Sequence, residues 1–186
     1  TDAQKEEYLS GIMSGETIFA FAYAEPRGRY DLANLETTAK TDGGDYVING
    51  HKAVVIGAPW ATHLVVTART SGGQSDKDGV SLFIVDKAAQ GVSTRDYATV
   101  DGRRASEVYF ENVKVSGDAL IGEAGNGLPL IEKVVDEATA AVCAEAVDEG
   151  DQRYHARLFA PAQAVRHADR IVPGASAPDG GYADGI

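Results

Sequence analysis

Histidine is the side chain in this chain most suited to general-base chemistry or metal binding, and there are four of them. His51 and His63 lie in or beside predicted strands, and we interpret them as turn or half-buried sheet residues rather than as bases. His155 and His167 fall in a segment without pattern and show no metal-ligand spacing. The histidines therefore predict neither a metal site nor a catalytic residue.

Phosphate binding is a second chemistry that the sequence could support. The glycine-rich run 122–127 lacks the Lys-Ser/Thr ending of a phosphate loop, and we interpret it as the joint between a strand and a helix. The formal net charge is −11, which repels nucleic acid and anionic membranes, so we expect neither as a partner. A phosphate ligand would need local cations. The candidates are Arg27, Arg29, Lys52, Arg103 and Arg104.

Length and composition limit the chain to one domain, or to one domain with part of another. Of its 186 residues 44% are hydrophobic and 24% charged, which is ordinary for a globular protein. A single cysteine excludes an intramolecular disulfide and is typical of a cytoplasmic protein. No apolar run approaches the roughly 18 residues that span a bilayer. We expect a cytoplasmic location, and because the chain begins with Thr1, an upstream segment is compatible with the sequence.

The middle of the chain follows the pattern of strands and turns. Short apolar and β-branched runs recur about every 8–12 residues, which favours a small β-sandwich or barrel. Asn49-Gly50 is a strong signal for a type I′ hairpin turn, and we predict one there between strands 46–48 and 51–56. An irregularity is expected at Asn112 within strand 106–115. The other predicted strands are 37–40, 62–68, 80–85 and the edge strand 92–97.

Helical spacing occurs on both sides of the strands. A shorter helix is predicted near the N-terminus, and a long one follows the glycine-rich run. The apolar stripe of the long helix comprises Leu128, Ile131, Val134, Val135, Ala138, Ala141, Val142 and Ala146. We therefore divide the chain into a helical piece 1–17, a β-domain 18–122, a helix 123–147 and a tail 148–186 without pattern.

Three segments carry the motifs of one known family. Segment 21–31 reads Phe-Ala-Tyr-Ala-Glu-Pro-Arg-Gly-Arg-Tyr-Asp, 46–52 ends in Asn-Gly-His-Lys, and 107–115 reads Glu-Val-Tyr-Phe-Glu-Asn-Val-Lys-Val. Together they resemble the middle β-domain of the acyl-CoA dehydrogenases, with a similarity to the pimeloyl-CoA dehydrogenase small subunit. The resemblance implies a mainly β fold: a middle-domain-like barrel or sandwich, a short N-terminal helical piece, and one long helix that begins the family's C-terminal domain.

The resemblance also implies where an FAD cofactor and an acyl-CoA substrate would lie. Tyr23 and Ala24 would line the flavin ring through backbone groups, and Tyr30 would lie near the acyl-CoA. In the second motif, which reads Asn-Gly-x-Lys-x-Trp-Ile-Thr in the family, the cofactor positions are Val54, Val55 and Ile56.

Several of these positions depart from the family's motifs. Ala24 replaces a Thr, which removes one hydroxyl donor to the flavin and about 0.5–1.5 kcal/mol. Arg29 and Tyr30 stand where the family has Gly and Ser. Val54 replaces a Trp that covers one face of the flavin, and Ile56 replaces a Thr. These departures weaken the flavin site while the fold motifs stay intact.

The resemblance implies flavin-dependent α,β-dehydrogenation of an acyl-CoA thioester, with electrons passing to an electron-transfer flavoprotein and with homo- or hetero-oligomeric assemblies. A Glu removes the α-proton in the family. In most members it lies further along than this sequence extends, and in others it stands at the position of Ala138. Glu137 is turned about 100° around the helix from that position, and we interpret it as a solvated carboxylate. We assign no catalytic residue and expect this chain alone to be inactive.

The tail suggests a reason for that inactivity. Plausible codons for 162–184, read one nucleotide later, spell a segment similar to the family's next one. This predicts a frameshift near Asp148, followed by a disordered tail outside the family. The alternative is a non-catalytic β-domain subunit or binding module that pairs with another chain, which Val54 and Ile56 favour. A product without function is a third possibility.

Overall fold

The computed structural model describes residues 1–148, and it describes side-chain surroundings for 1–144. Thr1–Val135 form one compact unit, and the described residues from Asp136 onward belong to a second unit. The expectation of a disordered tail falls, apart from Asp148, outside the described residues. The helices and strands are α1 Asp2–Ser14, β1 Phe19–Ala22, β2 Thr38–Asp42, β3 Asp45–Ile56, β4 His63–Arg69, β5 Val80–Asp86, β6 Val92–Ala98, β7 Arg104–Val115, β8 Leu120–Ile121 and α2 Leu128–Asp148.

The eight strands found in residues 1–148 belong to one sheet. Its order is β6-β7-β3-β2-β4-β5-β8, with β1 paired to β4 outside this path. β1 runs parallel to β4 with Phe19 opposite His63, and β2 also meets β4 in parallel. The remaining pairs are antiparallel. The mainly β fold predicted from the sequence is confirmed, and β6 lies at one end of the sheet as expected.

One face of the sheet encloses the main core. Alternate residues of β4, namely Leu64, Val66 and Ala68, belong to this core and are fully buried. The rings of Tyr46 on β3 and Phe83 on β5 lie 4.8 Å apart, although two strands separate β3 from β5 in the sheet. The sheet therefore curls around its own core in the manner of a barrel.

The opposite face of β5 carries a second, smaller core. Val80 and Leu82 pack there with Leu35 from the loop before β2 and with Leu128 and Ile131 from the first turns of α2. Burying each such aliphatic side chain stabilises the fold by about 1.5–3 kcal/mol. The N-terminal end of the apolar stripe predicted for α2 is thus buried against the sheet. Neither described helix is long and apolar enough to cross a membrane.

α1 is joined to the sheet by few contacts. It begins with a capping box formed by Thr1 and Gln4. The Gln4 side chain donates to the carbonyls of Asp118 and Leu120 at 2.8 and 3.0 Å. The Tyr8 ring lies edge-on to Phe19, with ring centroids 5.5 Å apart. No residue of α1 is buried, so the helix adds little to either core.

The predicted hairpin turn at Asn49-Gly50 is wrong. β3 runs unbroken from Asp45 to Ile56, and the turn that joins it to β2 is Gly43-Gly44, with φ of 63° and 107°. At Asn49 the ladder between β3 and β7 shifts register, which marks a bulge. Gly50 is needed there for close approach, since a Cβ atom would lie 2.3 Å from Thr37 Oγ1 and 2.6 Å from Thr37 Cα.

The irregularity expected at Asn112 is present and faces this bulge. Asn112 has a φ of 51°, in the left-handed region that Asn tolerates better than most residues. Its backbone N–H donates to the side-chain oxygen of Asn49 at 2.8 Å. The two asparagines therefore stabilise matched distortions in neighbouring strands.

Candidate functional site

The first and second motifs meet where β1 ends beside the second half of β3. The backbone N–H of Ala53 donates to the carbonyl of Ala24 at 2.9 Å. Around this bond the side chains of Tyr23, Val54 and Ile56 are 40%, 52% and 44% exposed. We call Tyr23, Ala24, Val54 and Ile56 the motif edge. The structure thus brings together four of the five residues that the sequence assigned to a cofactor.

Val55, the fifth, has its side chain in the main core and is 1% exposed. Its backbone is enclosed as well, and its carbonyl accepts from the Ala58 N–H at 3.3 Å, so no part of Val55 is open to a ligand. The inward position of Val55 follows from a second bulge in β3, where the register against β7 shifts between Lys52 and Val55. Val54 has a φ of 53° there, which is unusual for a β-branched residue and strains the chain by about 1–3 kcal/mol. Such a conformation persists only where its surroundings hold it.

A polar network behind the bulge supplies part of that support. The Tyr97 hydroxyl lies close to the Val54 backbone and donates to Glu107 Oε1 at 3.1 Å. Glu107 Oε2 lies 2.5 Å from His51 Nε2, and the His51 ring stacks on Tyr109 with centroids 4.3 Å apart. Burial, followed by the Glu107 carboxylate, raises the pKa of Tyr97. His51 is therefore a half-buried sheet residue, as interpreted from the sequence.

Lys52 lies beneath the motif edge with its side chain fully buried. Its Nζ donates to Glu25 Oε1 at 2.7 Å and to Thr67 Oγ1 at 2.8 Å. A longer contact of 3.4 Å reaches the carbonyl of Tyr23. The expectation that Lys52 could bind a phosphate is wrong, because its donors are already used inside the protein and no face of the ammonium reaches solvent.

Glu25 neutralises this lysine and also ties in the loop before β2. Its carboxylate accepts from the backbone N–H groups of Glu36 at 2.6 Å and Thr37 at 3.1 Å. Burial opposes its ionisation, but Lys52, Thr37 and the Glu36 N–H outweigh burial, so the pKa of Glu25 is lowered. Burial lowers the pKa of Lys52 to about 8, against the pull of Glu25. Near neutral pH the two side chains form an ion pair.

Sequence reasoning missed this ion pair although both partners stand in the quoted motifs. Glu25 belongs to the first motif and Lys52 to the second. The signal that could have revealed the pair is Lys52, because it stands next to the apolar strand residues 53–56. A lysine in a buried strand needs a carboxylate partner, and Glu25 is the acidic residue of the other motif.

Tyr30 lies at the end of the turn 26–30, which follows Ala24 and Glu25 in the sequence. It is 99% exposed. Its neighbour Arg29 has a φ of 53°, in the region that suits the glycine of the family motif. Arg27 is mostly exposed, with its guanidinium 3.7 Å from Glu36. The turn borders a cleft of about 460 Å³, which is lined by Glu25, Pro26, Arg27, Glu36, Gly50 and His51.

The remaining candidates lie on exposed surfaces. Arg103 is on the turn between β6 and β7, where it contacts Asp101 at 3.4 Å. Arg104, at the first residue of β7, is also exposed. Glu137 is exposed on α2, which agrees with its interpretation as a solvated carboxylate.

The motif edge can therefore bind rather than react. It offers adjacent apolar side chains and peptide groups to a planar ligand. Its four residues contain no carboxylate, imidazole or amine. A carboxylate or imidazole base for this edge would have to come from elsewhere.

Comparison with known proteins identifies the same region. A family model described as the acyl-CoA dehydrogenase middle domain matches residues 20–113, which is half of the chain. The match includes every residue of the motif edge and the Lys52–Glu25 pair.

Individual relatives show a similar coverage. A 3-(aryl)acrylate reductase from Clostridium sporogenes is 35% identical over 150 residues, which are 79% of this chain and 40% of that protein. Acyl-CoA dehydrogenase FadE29 from Mycobacterium tuberculosis is 36% identical over 132 residues, or 70% of this chain and 34% of that protein. Among solved structures, the ChsE4-ChsE5 complex from Mycobacterium tuberculosis matches with a TM-score of 0.68 and 34% identity, over 73% of this chain and 35% of that chain. The present chain thus spans 40% or less of the length of these proteins.

Proposed function

Because the chain belongs to the acyl-CoA dehydrogenase family through its middle domain, we propose that its β-domain serves the FAD-dependent α,β-dehydrogenation of an acyl-CoA thioester. The observation that carries this proposal is the motif edge. Two segments that are separate in the sequence are joined there by the bond from Ala53 to Ala24, with three apolar side chains exposed around it.

The residues of the motif edge suit a flavin in part. Tyr23, Val54 and Ile56 offer apolar contact to a planar ring, and the partly exposed Ala24 offers backbone polar groups to the ring's margin. Ala24 carries no hydroxyl, so that hydrogen bond of the family's pattern has no counterpart, and Ile56 likewise lacks the hydroxyl of the family's Thr. FAD would supply the hydride acceptor. The chain's own contribution is to hold and orient the ring, and Tyr30 would contact the acyl-CoA.

We further propose that this chain alone does not turn over substrate. The residue at the base position on α2 is Ala138, and the motif edge contains no carboxylate. The acyl-CoA substrate, the electron-transfer flavoprotein and a homo- or hetero-oligomeric assembly are proposed from family membership. The pimeloyl-CoA subunit type stays a prediction.

Flavin titration of the purified 186-residue chain tests the cofactor assignment. We expect FAD fluorescence to be quenched weakly, and we expect V54W to tighten binding by about 2–10-fold, since an aromatic contact contributes about 0.5–1.5 kcal/mol. Leu9 on α1 is 50% exposed, so L9W is the matched control and should leave the affinity unchanged. Equal gains in both variants, or no gain in V54W, would contradict the assignment.

A non-catalytic binding module is the second candidate. The replacements at Val54 and Ile56 favour it, because the Trp that covers a face of the flavin in the family is absent and a Thr hydroxyl is lost. This candidate predicts a colourless protein whose thermal unfolding midpoint does not rise when FAD is added. A yellow protein or a midpoint that rises with FAD concentration favours the enzyme assignment.

We also propose that the chain divides at the boundaries 1–17, 18–122 and 123–147, and that the reading frame changes near Asp148. The coding DNA tests the change of reading frame. We expect the next-nucleotide frame after codon 148 to encode a segment similar to the relatives. An in-frame gene whose shifted frame lacks such a segment would refute the frameshift.

A further inference from the structure

We propose that Lys52 is a positioning residue that fixes the backbone of Tyr23 and Ala24, and with it the motif edge. The inference rests on the proposed function only for the identity of the ligand at that edge. The positioning itself stands on the contacts of the buried ammonium.

Lys52 and Ala53 on β3 contact the carbonyls of the two residues that follow β1, Tyr23 and Ala24. Lys52 Nζ lies 3.4 Å from the carbonyl of Tyr23, and the Ala53 N–H donates to the carbonyl of Ala24 at 2.9 Å. Thr67 Oγ1 on β4 approaches the same Tyr23 carbonyl at 3.5 Å while accepting from Lys52 at 2.8 Å. The segment after β1 is therefore held from β3 and β4 together.

The chemistry of the pair indicates that packing alone does not account for it. Taking a lysine and a glutamate out of water is unfavourable, and apolar residues of similar volume often fill such a site with equal or greater stability. An apolar residue at position 52 would fill space but would offer no donor to Glu25 or to Tyr23. The ammonium supplies donors in several directions from one point, and three are used here.

Glu25 extends this arrangement to the loop before β2. It receives Lys52 on one side and the N–H groups of Glu36 and Thr37 on the other. Loss of the ammonium would leave the carboxylate buried without its cation. We therefore expect the effect of removing Lys52 to reach the Ala53, Glu36 and Thr37 amides, which donate to residues 24 and 25.

Arg69 provides a matched comparison. It is also a buried cation, with the residue 6% exposed, and it lies on β4. Its guanidinium donates to the carbonyls of Asp76 and Asp78, in the loop between β4 and β5, and to that of Ala33, in the loop before β2. Removing Arg69 should destabilise the fold through those loops without loosening the motif edge.

Amide hydrogen exchange on the full 186-residue chain tests the positioning role. In K52M we expect the Ala53, Glu36 and Thr37 amides to exchange about tenfold faster than in the wild type, after normalisation to the β4–β5 amides. R69M should leave the normalised exchange of the Ala53 amide unchanged, whereas Glu36 and Thr37 share the loop before β2 with Ala33, which Arg69 contacts. Wild-type rates at these amides in K52M, or an equal acceleration of Ala53 in R69M, would overturn the proposal.

T67V is a second test variant, which is needed if K52M does not fold. It keeps the side-chain volume and removes only the hydroxyl between Lys52 and Tyr23, so we expect a smaller acceleration at Ala53 and none at the Arg69 loops. No acceleration at Ala53 in T67V would equally overturn the proposal. FAD titration of the same samples is read separately: a wild-type chain that binds no FAD contradicts the proposed function, while the exchange data still decide the role of Lys52.

Discussion

Lys52 and Glu25 remove a positive and a negative charge from water, and the structure compensates both with hydrogen bonds. We expect K52M and E25Q each to lower the free energy of unfolding by about 3–5 kcal/mol, because each leaves one buried charge unpaired. The double variant leaves neither, so its loss should be smaller than the sum of the single losses. Urea unfolding followed by circular dichroism measures all three. A double variant whose loss equals that sum would contradict the pairing.

The lowered pKa of Glu25 makes the same pair sensitive to acid. Its ionised carboxylate stabilises the fold above the ordinary pKa of 4.5, and this contribution is lost as pH falls through the lowered folded pKa. E25Q has no proton to gain at this position. We therefore expect the difference in unfolding free energy between the wild type and E25Q to shrink once the pH drops below 4.5, the ordinary pKa of a glutamate. A difference that stays constant from neutral to acid pH would show that Glu25 is not ionised in the folded protein.

At the scale of elements, β3 carries both distortions that shape the site. The bulge at Gly50 lets the strand pass close to Thr37, and the bulge at Val54 turns that side chain outward while Val55 stays in the core. The pleat alone would alternate the side chains regularly. The motif edge therefore depends on irregularities in a strand as much as on the residues displayed.

Gly50→Ala tests the first bulge. A Cβ would lie 2.6 Å from the backbone Cα of Thr37, which cannot move without shifting a strand, so we expect a loss of about 2–4 kcal/mol in unfolding free energy. Gly43→Ala is the control, since Gly43 also has positive φ but has nothing within 4 Å of its Cβ position. It should lose only about 1 kcal/mol. Equal losses in thermal or urea unfolding would mean that close approach to Thr37 is not what requires Gly50.

The sequence predicted these elements unevenly for a physical reason. Strand positions follow from local β-branched runs, and β4, β5 and β6 appear within one or two residues of their predicted bounds. Asn49-Gly50 was misread because a hairpin signal is local, whereas the contact of Gly50 with Thr37 joins segments that are distant in sequence. The position of Glu25 beside Lys52 likewise depends on how β1 and β3 cross, which no single segment specifies.

At the scale of the whole molecule, the described part of the chain exposes apolar surface. Val134 on α2 is 51% exposed, and it borders a largely apolar cleft of about 370 Å³ that β1, β4 and β8 also line. Exposed apolar patches favour association. We expect V134K to raise the monomer fraction in light scattering. E132Q makes the same change in net charge at an exposed polar position of α2 and should leave the monomer fraction unchanged. An equal rise in the monomer fraction in both variants would mean that net charge, and not the apolar patch, controls the association.

Family and fold class were predictable at this scale because several motifs occur in the right order along the chain. The family model's match over 20–113 and the mainly β sheet bear this out. The chemistry of the site was less predictable. Ala24, Val54 and Ile56 lack the hydroxyl and indole groups of the family's Thr, Trp and Thr, and the sequence does not show which other groups take their place. What they leave is an apolar edge over a buried ion pair.

Amide chemical-shift mapping of the isotope-labelled chain tests that account most directly. On addition of FAD, we predict shifts concentrated at Tyr23, Ala24 and 54–56. Adenosine monophosphate, which lacks the flavin ring, should not produce them. Shifts that are absent, that occur equally with adenosine monophosphate, or that fall only on the turn 26–31 would contradict the claim that this β-domain presents one wall of a flavin site.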